Sequence, residues 1–408
     1  MKNNLILNLK NIFFFSFLLI SNQLWAQDYQ VIEEMTYQEY ISKIREHNLA
    51  FLAEKYNVDI AEAEVIAASA LPDPELSFTY FDNQNKRLSM GYGYETELNW
   101  DLELGRKRKA RTDLAKSERD MSFLELQDFF FDLRIEATHI YLDAIKNSMH
   151  YDVQENTYKD ILEIAKQDSI KYSKGEIRQV VASRTKLEAA YIKNELQEYA
   201  NNCTHSLMEL QYFIANEDEV RWFIPAGQLN LIKREYQLED LQKAAYEQGI
   251  KHKLAQQELE VGRKEIALAK AERKMDLGLS LGIESNSFSK NAIAPTPSHT
   301  SVFAGIAVPL QFSNNKDASV KQANYTYQQD LLHYKSQELE MRKEIRIAFQ
   351  NFQNAKRQVE EIRDLLLDAE NLYKETIKEY SENHIGFAEL QGAYKAYNGI
   401  QHSYIDEL

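Results

Sequence analysis

The sequence predicts a mainly helical protein that carries a few β-strands and is built from two copies of one unit. The chain of 408 residues has only 13 glycines and 6 prolines. Because these residues mark turns, their scarcity indicates few turns and long elements. Two regions alternate apolar and polar residues as strands do. The pattern of strands and helices recurs 208 residues later.

The charge balance and composition argue against several classes of protein. The chain has 63 acidic and 48 basic residues, a formal net charge of -15, whereas nucleic-acid binding needs a basic face for phosphate contacts. With 27% charged and 44% hydrophobic residues, it resembles neither a disordered chain nor a polytopic helical membrane protein. The single cysteine, Cys203, cannot form an intramolecular disulfide and is expected to be a small buried residue on a helix.

The N-terminus has the pattern of a secretory signal peptide over residues 1–26. Lys2 and Lys10 make the first segment basic, an apolar run extends from Ile12 to Ile20, and Ala26 ends a cleavage site. The run is shorter than the roughly 20 residues that a membrane helix needs, and an uncleaved anchor is the alternative. The mature chain is expected to cover 27–408, and its integral contacts with lipid would have to use strands.

The clearest strand pattern begins at Tyr94, with apolar side chains on one face and mostly acidic or amide side chains on the other. A second segment from Val302 to Leu310 alternates in the same way, and Leu98 corresponds to Ile306 at the offset of 208 residues. Each segment has an upstream companion, so two hairpins are predicted. The predicted membrane-facing positions are Tyr94, Leu98, Trp100, Leu102, Ile306 and Val308.

A very long helix is predicted after each hairpin. In the first, apolar residues stand 4, 3 and 4 apart at Leu133, Ala137, Ile140 and Ala144, and the spacing recurs from Met341 in the second. An average of about 3.5 residues is that of a coiled-coil seam. The helices are expected at about 104–168 and 316–382, each roughly 100 Å long at about 1.5 Å per residue.

The chain is therefore a tandem duplication of helix–strand–strand–long-helix units. The first copy is expected at roughly 36–213 and the second at roughly 238–408, with a connector at about 214–237. The strands match the roughly 9 to 11 residues of a tilted membrane strand. Four strands cannot close a barrel, and open edges cannot lie in lipid. Two chains would supply eight strands and three would supply twelve, and this arithmetic does not choose between a dimer and a trimer. The alternative to membrane strands is that the hairpins belong to a soluble β-sandwich.

In the order of its motifs, the chain resembles the TolC-type outer membrane efflux proteins, or outer membrane factors. The motifs are the duplication, the helix end Leu71–Pro74, the runs Trp100–Arg111 and Val308–Phe312, and the segment Lys171–Ala190. The resemblance covers essentially all of the mature chain. It implies a homotrimer in which four strands per chain form a twelve-stranded outer-membrane β-barrel, continued by a periplasmic α-helical barrel.

The resemblance also implies a function and a location. Such proteins form the outer-membrane channel of a tripartite efflux or type I export system. They are passive conduits for substrates delivered by an inner-membrane pump and a periplasmic adaptor protein. The expected location is the outer membrane, in contact with its lipid, and the periplasm beneath it. The alternative is a soluble periplasmic coiled-coil scaffold or adaptor. Drug, metal and protein substrates all remain open.

Two helix-hairpin turns, at 167–177 and 377–389, are implied to form the periplasmic entrance and to dock the adaptor. The expected residues there are Asp168, Gly175, Glu176, Glu379, Glu382, Asn383 and Glu389. In a trimer each carboxylate would become a ring of three that attracts cations, whereas the alternative is an ordinary solvated helix surface. Gly175 and Asn383 suit the turns themselves because both tolerate the left-handed conformation.

The remaining chemistry-bearing residues do not indicate an enzyme. The nine histidines never stand three or four residues apart, so no helical zinc pair is predicted. No nucleophile elbow, nucleotide-binding loop or calcium loop occurs. No catalytic residue, cofactor or metal is therefore predicted. The basic run Arg106–Arg111 is expected near lipid headgroups or in plain solvent. Tyr94 and Trp100 are expected in an aromatic girdle or in core packing.

Overall fold

The computed structural model describes residues 31–84, 89–218, 221–231, 233–310 and 315–408. The helices are α1 (Tyr37–His47), α2 (Leu49–Ser69), α3 (Lys107–Ser173), α4 (Gln179–Phe213), α5 (Leu238–Gln248), α6 (Ile250–Glu272), α7 (Asn315–Ser381) and α8 (Phe387–Glu407). The strands are β1 (Val31–Met35), β2 (Glu75–Asp82), β3 (Tyr92–Leu102), β4 (Arg221–Pro225), β5 (Leu277–Asn286) and β6 (His299–Ala307). The predicted signal peptide at 1–26 lies outside the described residues.

The order of elements repeats along the chain, which confirms the duplicated fold class. Two helices, two strands, a helix of 67 residues and a return helix run from α1 to α4 and again from α5 to α8. The opening helix of each copy is divided in two, which the sequence pattern did not predict. In copy one Asn48 separates the two pieces and caps the start of α2, because its side-chain oxygen accepts a hydrogen bond from the Phe51 N–H at 3.0 Å, as an N-cap residue does. In copy two Gly249 separates the corresponding pieces, α5 and α6.

The chain forms two compact units, and α3 and α7 contribute residues to both. One unit contains residues up to 47 together with 137–229 and 369–406, and the other contains 48–136, 230–368 and the last two residues. The first unit holds the C-terminal half of α3 and the C-terminal end of α7, together with α4 and nearly all of α8. The second unit holds the four long strands.

The first unit has a helical core and a small parallel sheet. Residues from α3, α4, α7 and α8 form the core, and the least exposed are Ile161, Ile192 and Leu390. Strand β1 pairs in parallel with β4, which lies in the predicted connector. The Tyr141 hydroxyl lies 2.8 Å from the Met35 carbonyl oxygen and accepts a hydrogen bond from the Ala226 N–H at 3.0 Å. The pairing of β1 with β4 was not predicted from the sequence.

The second unit contains an antiparallel sheet in the order β2-β3-β5-β6. Each predicted hairpin forms, and the two hairpins join side by side because β3 pairs with β5. Strands β2 and β6 are therefore the two edges of the sheet. Twelve residues, 287–298, separate β5 from β6, and nine, 83–91, separate β2 from β3.

The coiled-coil spacing corresponds to burial along both long helices. Leu133, Ala137 and Ala144 are buried on α3, and Val359 and Tyr373 are buried on α7. Apolar residues at this spacing share one stripe of a helix, so the predicted stripe packs at these positions. In the single chain the start of the series on α7 is less buried: Met341, Ile345 and Phe352 are half-buried and Ala348 is exposed. None of the helices in the described ranges is both long enough and apolar enough to cross a membrane.

Candidate functional site

One face of the four-stranded sheet is apolar and exposed. Directly opposite residues of neighbouring strands share a face, and Leu76, Leu98 and Leu281 form one such row. Trp100, Leu279 and Ile306 form another row on the same face. In a single chain Leu76 is 70% exposed and Ile306 is 72% exposed. A continuous apolar face of this kind marks an interaction with another protein or with lipid.

The opposite face of the sheet is polar and contains glycines. Ser77, Glu97, Gly282 and Phe303 lie in one row across all four strands. A β-carbon on Gly282 would lie 2.3 Å from the Phe303 ring, so this position needs glycine to admit the ring. The two faces therefore differ in the way that a sheet between lipid and water requires.

Five of the six predicted membrane-facing positions lie in strands. Tyr94, Leu98, Trp100 and Leu102 belong to β3, and Ile306 belongs to β6. The sixth, Val308, lies one residue beyond the end of β6 at Ala307. The following residue is Pro309, which has no N–H to continue a β-ladder.

The aromatic residues Tyr94 and Trp100 are exposed rather than packed in a core. The Trp100 indole N–H donates to the Pro72 carbonyl oxygen at 3.0 Å, and the Tyr94 ring stacks on Phe78 with the ring centres 6.4 Å apart. Trp100 therefore has an apolar ring with one polar partner, whereas the cited contact of Tyr94 is with another aromatic ring.

The basic run after β3 is partly used in ion pairs within the second unit. The ammonium of Lys107 lies 2.6 Å from an Asp276 carboxylate oxygen. Arg111 binds Glu103 through two nitrogens, at 2.6 and 3.1 Å, and this hydrogen bonding raises the pKa of Arg111. These two cations therefore anchor the start of α3, whereas Arg106, Arg108 and Lys109 are exposed.

Both long helices end in the same hydrogen-bonded turn, in the first unit. After α3, Gly175 N–H donates to the Tyr172 carbonyl and Glu176 N–H donates to the Lys171 carbonyl. After α7, Asn383 donates to Tyr380 and His384 donates to Glu379 in the same pattern. This is the Schellman arrangement, which needs a left-handed residue after the helix. Gly175 has φ +77° and Asn383 has φ +61°, as the sequence predicted.

Two lysines of the first turn correspond to two glutamates of the second turn. Lys171, Lys174 and Glu176 of the first turn correspond to Glu379, Glu382 and His384 of the second. The His384 ring nitrogen lies 3.0 Å from a Glu379 oxygen and 3.4 Å from a Glu382 oxygen. Lys171 donates to Asn383 Oδ1 at 3.2 Å and to the Ser381 carbonyl at 2.9 Å, so the first turn contacts the second. Glu176, Glu379, Glu382 and Glu389 are all exposed.

Asp168 differs from the other predicted entrance acids because it is buried. It is 3% exposed and accepts a hydrogen bond of 2.7 Å from the Tyr380 hydroxyl. Burial, followed by this hydrogen bond, raises the pKa of Tyr380. Within the single chain the carboxylate therefore joins α3 to α7 and does not face solvent.

Two further tyrosines near this core donate to carboxylates, and sequence reasoning identified neither. Tyr373 of α7 donates to Asp160 of α3 at 3.2 Å, and Tyr394 of α8 donates to Glu188 of α4. Burial is the largest cause that raises the pKa of each tyrosine. The apolar spacing of α7 places Tyr373 in the seam, but no local signal indicates which carboxylate it meets.

Cys203 is buried on α4, which confirms the prediction. Burial raises the pKa of its thiol to about 11. Because the thiolate is the reactive form of cysteine, this side chain is chemically quiet at neutral pH.

Comparison with known proteins supports the fold through structure and not through sequence. No family model and no curated protein matches the sequence. A membrane protein from Pseudomonas aeruginosa aligns over 91% of this chain and 89% of its own, with a TM-score of 0.75 and 14% identity. The outer membrane protein VceC from Vibrio cholerae aligns over 91% and 92%, with a TM-score of 0.70 and 13% identity.

A third structure is the Campylobacter jejuni CmeC outer membrane channel. It aligns over 91% of this chain and 83% of its own, with a TM-score of 0.72 and 12% identity. At such identities the likeness concerns the fold alone, over 91% of this chain. This chain has the fold of the TolC-type outer membrane channels.

Proposed function

We propose that the protein is an outer-membrane channel, the passive conduit of an efflux or type I export system. The observation that carries this proposal is the exposed apolar face of the sheet in a chain with this fold. Leu76, Phe78, Val302 and Ile306 are each more than two-thirds exposed. Exposure of so many large apolar side chains on one face is costly in water and favourable in lipid.

The sheet edges support assembly of several copies, and the proposed number is three, as the resemblance to the outer membrane factors implies. In one chain β2 and β6 each pair on one side only, and unpaired backbone groups cannot lie in lipid. Pairing of β6 with β2 of a neighbouring copy satisfies both edges. Three copies would contribute twelve strands to one closed barrel, and the long helices would continue the conduit into the periplasm.

The proposed partners are a periplasmic adaptor protein and an inner-membrane pump. A passive channel has no energy source, so a pump must supply the substrate and the driving force. The two helix turns around Gly175 and Asn383 are the proposed entrance and docking surface, because they are exposed and carry charges of opposite sign. The proposed location is the outer membrane, reached after removal of the signal peptide at 1–26.

Fractionation and conductance would test the channel proposal. The expected result is a protein that is found in the outer-membrane fraction, needs detergent for extraction and has the mass of three copies by light scattering with the detergent subtracted. In planar bilayers it should produce discrete conductance steps.

A detergent-free extract that contains only monomer, with no conductance after reconstitution, would contradict the proposal. That outcome would favour the soluble periplasmic scaffold.

A further inference from the structure

Two histidines of the first unit meet inside the protein although they are distant in sequence. His150 of α3 and His402 of α8 bring their Nδ1 atoms within 2.6 Å, with ring centres 4.8 Å apart. His150 is 8% exposed. A hydrogen bond between two imidazole nitrogens needs an N–H on one and a lone pair on the other. The contact therefore exists only while at least one of the two Nδ1 atoms is unprotonated.

The surroundings determine which protonation states the pair can hold. The other nitrogen of His150, Nε2, lies 3.0 Å from an Asp406 carboxylate oxygen, and a carboxylate accepts, so this nitrogen carries a proton. In the neutral pair His402 then donates from Nδ1 to His150. The Nε2 atom of His402 is buried and has no hydrogen-bond partner within the described part of the chain.

A second face of the pair is closed by α4. The Tyr199 ring stacks on His402 with the ring centres 5.0 Å apart and the planes 5° from parallel. Burial, then the nearby Glu195, Glu198 and Asp406, raises the pKa of Tyr199, so it remains neutral and supplies no countercharge below pH 10.

Added protons act on this pair in two steps: the first, at His402 Nε2, leaves the hydrogen bond between the Nδ1 atoms in place but adds a charge, and the second removes the bond. One added proton leaves a cation that is largely shielded from water, and Asp406, whose side chain is 59% exposed, is the carboxylate in contact with the pair. A second added proton places two N–H groups opposite each other at the 2.6 Å contact. Burial, and then the charge of His150, lowers the pKa of His402 to about 4, while Asp406 acts in the opposite direction.

We propose that the His150–His402 pair is a proton-sensitive contact that holds α8 against α3 at neutral pH and releases it in acid. Three helices supply the groups that control it: His150 from α3, Tyr199 from α4, and His402 with Asp406 from α8. Release would loosen the C-terminal helix in the part of the chain that is proposed to lie in the periplasm. That consequence rests on the proposed function, whereas the contact itself does not.

The sign of the pH effect follows from linkage. A histidine whose folded pKa lies below its ordinary value of 6.5 favours the closed form above pH 6.5, and this stabilisation is lost as the pH falls toward 4. With a folded pKa of about 4, the equilibrium constant for opening rises about twentyfold between pH 7 and pH 5. The rise is confined to segments that the contact holds.

Hydrogen exchange on the full-length protein in detergent would test this proposal. Protection of amides in 397–407, corrected for the intrinsic dependence of exchange on pH, should fall about twentyfold between pH 7 and pH 5. In His402→Phe, which keeps a flat ring against Tyr199 but cannot titrate, protection should not depend on pH. His205→Phe is the matched control, because His205 is exposed on α4, and it should behave as the native protein does.

Equal protection of 397–407 at both pH values in the native protein would overturn the proposal, as would an unchanged acid response in His402→Phe. If His402→Phe does not fold, His150→Gln replaces it, because glutamine removes the opposing imidazole and should weaken the acid response. The measurement involves no transport, so its failure leaves the channel proposal intact. Absence of conductance would likewise leave this contact untouched.

Discussion

At the scale of single residues, the tyrosine–carboxylate bonds of the first unit join helices that are remote in sequence. Tyr380 and Asp168 illustrate this, because both are buried and each is the other's polar partner. A buried carboxylate that loses its donor retains the cost of desolvation without the compensating bond. The bond therefore contributes more to stability than an exposed hydrogen bond of the same length.

Tyr380→Phe tests this contribution. We expect the free energy of unfolding in urea to fall by about 1.5–3 kcal/mol, the range for hydrogen bonds to charged groups. Tyr172→Phe is the matched control, since Tyr172 occupies the equivalent position of copy one and is exposed. Equal stability of the two variants would show that the Tyr380 hydroxyl contributes little.

At the scale of elements, the turns after α3 and α7 depend on one left-handed residue each. A β-carbon at Gly175 would meet no atom within 4 Å, so space does not explain the glycine. Its φ of +77° does, because this backbone conformation strains residues that have a β-carbon. The turn geometry therefore selects the residue at this position.

Gly175→Ala should lower the free energy of unfolding by about 1 kcal/mol through backbone strain. Gly392→Ala is a control with the opposite sign. Gly392 lies inside α8, also with open space around a β-carbon, and alanine in a helix interior stabilises by about 1 kcal/mol relative to glycine. Thermal or urea unfolding of both variants checks the pair, and the same sign in both would contradict the account.

The two faces of the sheet provide a second test at the scale of elements. Leu98 lies on the apolar face and Glu97 lies on the polar face of the same strand. Leu98→Arg should cost about 2–4 kcal/mol if the side chain meets the middle of the bilayer, and the yield of outer-membrane trimer should drop. Glu97→Arg should leave that yield near the native value. Equal yields would place the lipid face elsewhere.

At the scale of the whole molecule, the proposed trimer places three copies of each charged residue around the entrance. Carboxylates arranged in rings raise the local concentration of cations. The exposed Glu379 and Glu382 would belong to such rings, whereas Asp168 is already bound to Tyr380. Selectivity should therefore depend on the exposed charges of both turns, the acidic pair of copy two and Lys174 of copy one.

A double variant, Glu379→Gln with Glu382→Gln, should lower the preference for cations in planar bilayers. The reversal potential under a KCl gradient measures this preference, at low salt because exposed charges are screened within about 10 Å at 0.1 M. Lys174→Gln, at the position equivalent to Glu382, should raise the preference instead. A reversal potential unchanged in all variants would mean that neither turn lines the path of the ions.

The sequence by itself determined the duplication, the two hairpins and the two long helices. These features depend on local periodicity, which is 2 residues in a strand and about 3.5 residues along a helix seam. Both periods can be read directly from the order of apolar and polar residues. The left-handed turns at Gly175 and Asn383 were also predictable, because the requirement concerns one residue and its neighbours. The divisions at Asn48 and Gly249 and the end of β6 before Val308 show that element boundaries are less strongly encoded.

Only the tertiary structure decided which distant residues meet. The bonds of Tyr380 to Asp168 and of Lys107 to Asp276, the contact of His150 with His402, and the pairing of β1 with β4 join positions that no periodicity relates. Their partners depend on how helices and strands align along their lengths. That alignment is set by the packing of many apolar side chains together and not by any local pattern.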